Sequence, residues 1–170
     1  MKPVILFFLL INSVSTHVVQ SRGPATDGLR VEVRTNSRHV HLTGEIVVTV
    51  FFRSPKKTVT MWNAFGWGAG LYLQVLDSSG HEVRNDFVQM FHPLRPDITG
   101  RNALISIGGD SFAGFDSQIQ VKTLFPKPGG YTVKCVYSPP LPRDYFQGTT
   151  IWGEEDGPIE SAGATVFVDK

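Results

Sequence analysis

Cys135 is the only cysteine in 170 residues, so no intramolecular disulfide can form and the fold must rest on packing and hydrogen bonds. An excess of either charge is also missing: 16 Lys and Arg stand against 15 Asp and Glu, a net charge of +1. That balance argues against nucleic acid as the main partner, because binding a phosphate backbone selects a strongly basic face. After the first dozen residues there is no long apolar run, and a helix crossing a bilayer needs about 20 apolar residues. No G-x-S-x-G elbow, H-E-x-x-H pair or phosphate-binding glycine loop occurs. Gly66-Trp67-Gly68 with Gly70 is not a dinucleotide fingerprint, since no helix follows it. No segment keeps a helical period, repeats itself or falls to low complexity.

The N-terminus carries Lys2, the apolar run Val4 to Ile11, and then the small polar stretch Asn12-Ser13-Val14-Ser15. This order is that of a secretory signal peptide over residues 1–21, with cleavage expected after Ser15 or Ser21. The run is too short to span a bilayer, and the expected location is secreted or periplasmic. Residues 22–28 read as a loose polar leader, and residues 29–170 as a single domain. About 150 residues remain, enough to bury about 68–70% of the unfolded surface.

Strand patterns fill that domain. Leu29 to Arg34 alternates strictly, and Glu45 to Phe52 is β-branched and aromatic, as a central strand should be. Strands are further expected over Thr58–Trp62, Leu71–Leu76, Ala103–Ile107, Gln118–Leu124 and Ala162–Val168, eight or nine in all. Asn36 to Gly44 reads as a turn region. Asp77-Ser78-Ser79-Gly80 predicts a hairpin into His81–Arg84. Asn85–Asn102 and Ser138–Glu160 read as long connections.

The stretch Phe125 to Tyr137 anchors the pattern. Pro128-Gly129-Gly130 suits a tight turn, and Tyr131, Val133, Cys135 and Tyr137 then share one apolar face. Pro139-Pro140 ends the strand, because proline cannot donate to a ladder. This P-G-x-Y-x-V segment resembles the late turn and strand of immunoglobulin-like domains. The resemblance implies an all-β, immunoglobulin-like antiparallel sandwich of about 7–9 strands, with Tyr131 closing a corner by a hydrogen bond to backbone. Trp62 is the candidate core tryptophan, and Cys135 is expected to be a buried, inert thiol.

Long loops on a rigid sandwich are where function sits. The 138–160 connection carries Tyr145, Phe146, Trp152, Glu154, Glu155 and Asp156, and the glycine-rich 65–70 loop carries Trp67. Aromatics beside carboxylates suit two ligands. Rings stack on sugar faces while carboxylates accept hydroxyl hydrogen bonds, and Trp and Tyr are favoured anchors for protein. The same rings can instead fold back and cap the sandwich. Glu154-Glu155-Asp156-Gly157 offers clustered oxygens for calcium, although its spacing is not that of an EF-hand. His39 and His41 would share one face of an extended segment, and Met90 with His92 adds soft and imidazole ligands suited to copper. Asp110 and Asp116 flank a loop with Phe112 and Phe115, so a glycosidase-type carboxylate pair is also open.

The order of the segments at 76–83, 108–112 and 126–133 is similar to that of the intracellular proteinase inhibitor family. That resemblance implies protease inhibition, although no inhibitory-loop motif carries over. The reading drawn from the sequence is a non-enzymatic, exported domain that binds protein or cell-surface polysaccharide through aromatic loops. Its alternatives are a protease inhibitor and a loop-carboxylate hydrolase or metal-binding protein.

Overall fold

The computed structural model describes residues 28–63, 67, 70–87, 103–109 and 111–170. Ten strands lie among them: β1 (Arg30–Thr35), β2 (His39–His41), β3 (Glu45–Arg53), β4 (Val59–Trp62), β5 (Leu71–Asp77), β6 (Leu104–Ile107), β7 (Phe112–Gln120), β8 (Gly129–Tyr137), β9 (Ile159–Glu160) and β10 (Ala164–Asp169). One sheet has the order β1-β3-β7. The other runs β2-β10-β8-β5 with β9 added to β8, and β4 pairs with β6 alone. All pairings are antiparallel except that of β2 with β10. This is an immunoglobulin-like β-sandwich.

Strict alternation places the core between the sheets. Ile46, Val48, Val50 and Phe52 of β3 point inward with Val31 and Val33 of β1. Val133, Cys135 and Tyr137 of β8 meet them from the second sheet with Leu71, Leu73 and Val75 of β5 and Val166 and Val168 of β10. The Phe52 and Tyr137 rings meet edge-on at 5.4 Å and join the layers. The Tyr131 hydroxyl donates to the Lys127 carbonyl at 2.8 Å, across the Pro128-Gly129-Gly130 segment, and its ring lies 4.9 Å from that of Phe125. Trp62 is buried at the end of β4.

Three local expectations are corrected. Gln118–Leu124 is not one strand: the strand is Phe112–Gln120, and Val121–Leu124 forms a helical turn, α1. Val121 and Leu124 are both fully buried at a spacing of three, which a helical turn allows and a strand does not. The 36–44 region contains β2, whose pairing with β10 comes from the far end of the chain. The 138–160 connection includes β9, which lies along the end of β8 and covers Val136. The hairpin at Asp77–Gly80 forms as expected, with Asp77 donating to His81 at 2.9 Å, Val83 donating to Val75 at 2.8 Å, Leu76 bridging Glu82, and the Asp77 carboxylate closing the turn on the Ser79 and His81 amides.

The N-terminal segment 1–27 and the 88–102 stretch, with Met90 and His92, lie outside the described residues. Among the described residues, no helix is long and apolar enough to cross a membrane.

Candidate functional site

The chain leaves β8 through Pro139-Pro140 and doubles back beside β4. Backbone hydrogen bonds hold the returning loop along its length. Ile151 donates to the Arg143 carbonyl at 3.0 Å, Glu154 to Leu141 at 2.9 Å, and Trp152 to Thr60 of β4 at 2.7 Å. Trp152 thereby bridges Met61 in parallel and extends the β4–β6 pair. At the outer end Thr149 donates to Phe146, with Gly148 at a φ of +76° that favours glycine.

Side chains lock the base of this loop. Arg143 donates to both oxygens of Asp156, at 2.7 and 3.3 Å, in the two-pronged geometry that a guanidinium suits. The Asp156 carboxylate also accepts from the Gly153 amide at 2.9 Å, and Glu155 accepts from the Arg143 amide at 2.8 Å. These bonds cap a short 3-10 turn, Glu154–Asp156. Gly153 is required by close approach: a β-carbon there would lie 2.6 Å from the Arg143 Cα.

Between this loop and the start of β4 is an open cleft of about 440 Å³. Lys57, Thr58 and Thr60 form one wall, and Arg143, Thr150, Trp152 and Asp156 line the other side. The polar lining comprises an ammonium, three threonine hydroxyls, of which that of Thr60 is bonded to the Ser106 hydroxyl at 2.9 Å, and a guanidinium paired with carboxylate. Trp152 is half-buried and packs its ring over Gly28. Tyr145 stands outside, 48% exposed, with its ring edge-on to Phe146 at 5.2 Å.

The aromatic residues expected to act together are therefore divided. Trp152 and Asp156 share the cleft, and Tyr145 and Phe146 form a neighbouring pair. Trp67 lies outside the cleft lining. Its Nε1 donates to the Ser117 hydroxyl at 2.9 Å, and its ring packs edge-on against Phe87 and Phe115. With 8% of its surface exposed it presents no stacking face to a ligand.

The metal candidates are not assembled. Glu155 and Asp156 face the Arg143 backbone and guanidinium, which removes them from a common calcium shell. His39 and His41 do share an exposed face. His39 stacks on Phe167 at 5.1 Å with its Nδ1 4.0 Å from Asp169, and the His41 Nδ1 lies 3.1 Å from the Lys170 carbonyl. Among the described residues, no group of three or more His, Cys, Asp and Glu is placed to hold a metal.

Among the described residues, the candidate thiol is not presented either, and the proposed carboxylate pair is described at Asp116 alone. The Cys135 thiol is fully buried, and burial pushes its pKa far above the ordinary range. Asp116 accepts from the Thr49 hydroxyl at 2.6 Å on the outer face of β7, while Asp110 lies outside the described residues.

Lys57, Thr58 and Thr60 were not foreseen as site residues. Nothing local marks them, because the loop that makes them one wall of a cleft arrives some 90 residues later.

No protein-family model matches this chain, and no curated protein sequence matches it. Among solved structures it is similar to the CARDB domain of the PF1109 protein from Pyrococcus furiosus, determined in complex with di-metal ions. The identity is 11% and the TM-score 0.37, over 85% of this chain and 97% of that one.

Proposed function

We propose that the chain is an exported binding domain without chemistry of its own, and that it takes a polysaccharide in the cleft beside the 143–156 loop. The observation that supports this reading is a threonine-lined cleft whose loop wall is tied by the Arg143–Asp156 clasp. A preformed site loses less conformational freedom on binding, which favours a ligand held by many weak polar contacts. Thr58, Thr60 and Thr150 suit sugar hydroxyls, Lys57 supplies a further donor, and the Trp152 ring supplies apolar wall. Export to a secreted or periplasmic location rests on the apolar Val4–Ile11 run after Lys2.

A protein partner is the second reading. Tyr145 favours it, as an exposed aromatic propped on Phe146 and the residue type that anchors protein interfaces. Protease inhibition, implied by the likeness of turns and strands to the intracellular proteinase inhibitor family, is the narrowest form of that reading.

Thermal unfolding of the chain against neutral and charged polysaccharides, and inhibition of a protease panel, separates these readings. A ligand at 100 times its dissociation constant adds about 2.7 kcal/mol. That should raise the midpoint by about 5–10 °C for a domain of this size. A glycan shift that Tyr145→Ala leaves intact supports the cleft. Stoichiometric inhibition of a protease that Tyr145→Ala abolishes supports the protein reading instead.

A further inference from the structure

The outer face of the β1-β3-β7 sheet carries features that neither the core nor the cleft requires. The register puts Arg30, Arg53 and Phe112 side by side on three adjacent strands, followed by Glu32, Phe51 and Gly114. Glu32 is nearly buried beneath two of the arginines, with Arg34 at 3.4 Å and Arg53 at 3.8 Å. Arg30 has no ion-pair partner among the described residues. Three arginines over one glutamate leave two positive charges at this end of the face, while the carboxylates of Asp116 and Glu45 lie farther along it.

An aromatic platform adjoins this charge. The Arg34 guanidinium lies over one face of Phe51, 4.5 Å from the ring centre. Phe112 is tilted against Phe51 at 6.1 Å and is 68% exposed. Gly114 seats β7 closely against β3, where a β-carbon would lie 2.8 Å from the Phe51 Cβ. Farther along β7, Gln118 and Gln120 present carboxamides on the same face, anchored by Glu45. Alternate residues on a strand repeat about every 6.6 Å, so Phe112 to Gln120 forms a polar and aromatic track about 26 Å long.

We propose that this face is a second binding surface, for an anionic polysaccharide whose carboxylate or sulfate groups pair with Arg30 and Arg53 while a sugar ring stacks on Phe112. The charge names the sign of the ligand, the open phenylalanine ring supplies stacking, and the carboxamides match a hydroxyl-rich chain better than a peptide backbone. The Arg30–Arg53 end of the face neighbours the cleft, since Trp152 packs over Gly28 and Lys57 follows four residues after Arg53, so a cleft variant is needed to separate the two surfaces.

The experiment is isothermal titration of the full chain with polygalacturonate, neutral dextran and poly-glutamate, in low and physiological salt. Arg30→Gln, Phe112→Ala and, as a cleft control, Thr150→Val are compared with the unaltered chain. Phe112 and Thr150 are exposed and Arg30 is half-buried, and unchanged thermal midpoints establish that each variant folds. The expected result is binding of polygalacturonate, weakened by salt and reduced about tenfold by either face variant but not by Thr150→Val. No binding of polygalacturonate, equal binding by Arg30→Gln or Phe112→Ala, or tighter binding of poly-glutamate than of polygalacturonate would each overturn the proposal.

Discussion

Arg143 and Asp156 lie 13 residues apart and are joined by two hydrogen bonds, the shorter at 2.7 Å, closing a loop that already returns on itself through backbone bonds. The pair is partly exposed, so its ionic attraction alone is worth about 0.5–1 kcal/mol. Asp156 also accepts from the Gly153 amide, a capping bond worth about 1 kcal/mol. Asp156→Ala should therefore cost about 1–2 kcal/mol and lower the thermal midpoint by about 3–6 °C. Hydrogen exchange should rise at the amides of Gly153 and Ile151. Arg143→Lys should cost less in stability yet loosen the same amides, because an ammonium cannot make the two-pronged contact.

Gly153→Ala tests the close approach directly. Its φ of −114° suits any residue, so strain from backbone conformation is not the issue. The new β-carbon would strike the Arg143 backbone. A loss of about 1–3 kcal/mol is expected. An unchanged midpoint in thermal unfolding would mean that the loop does not pack as described.

Burial raises the pKa of Tyr72, Tyr131, Cys135 and Tyr137, and the last two, both on β8, are the most deeply buried. The Cys135 thiol and the Tyr137 hydroxyl are both raised above their ordinary values of 9.0 and 10.0. The folded chain then holds these protons more tightly than the unfolded chain, so stability falls as pH rises. The contribution is complete below the unfolded pKa values, and its loss begins above about pH 9 for the thiol and about pH 10 for the phenol. By about pH 10 the thiol alone should have removed about 1.4 kcal/mol. Denaturant titrations across this range check the slope, and Cys135→Ala should remove its first part.

The Tyr137 hydroxyl is buried without a hydrogen-bond partner among the described residues. Tyr137→Phe keeps the edge-on contact with Phe52 and removes an unsatisfied group. It should stabilise the fold by about 1 kcal/mol. A calorimetric midpoint about 2–4 °C higher is the expected sign. Tyr131→Phe is the contrasting case. Its hydroxyl donates to Lys127, and the loss should lower stability by about 1 kcal/mol.

Much of the sandwich was legible because its long strands alternate. Val48, Val50 and Phe52 on β3 and Val133, Cys135 and Tyr137 on β8 declare their inner faces without reference to any partner. β2 did not, since three residues around Val40 become a strand only when β10 arrives beside them. Val121–Leu124 was misread because four β-compatible residues carry too little pattern to separate a helical turn from a strand. The 138–160 loop was marked by its length and its aromatic and acidic residues. Its clasp was not, because Arg143 and Asp156 become neighbours only after the chain reverses. Trp67 shows the opposite limit: a glycine-rich loop suggested exposure, but the ring packs on Phe87 and Phe115 instead.

The most direct test of the cleft reading is isothermal titration of the chain with a polysaccharide selected by thermal shift, repeated with Lys57→Gln and Thr150→Val. Both side chains line the cleft from exposed positions, so neither change should alter the midpoint of unfolding. The cleft account expects saturable binding that weakens about tenfold in each variant, a change of about 1.4 kcal/mol. Full-strength binding by both variants, with their folds intact, would contradict it.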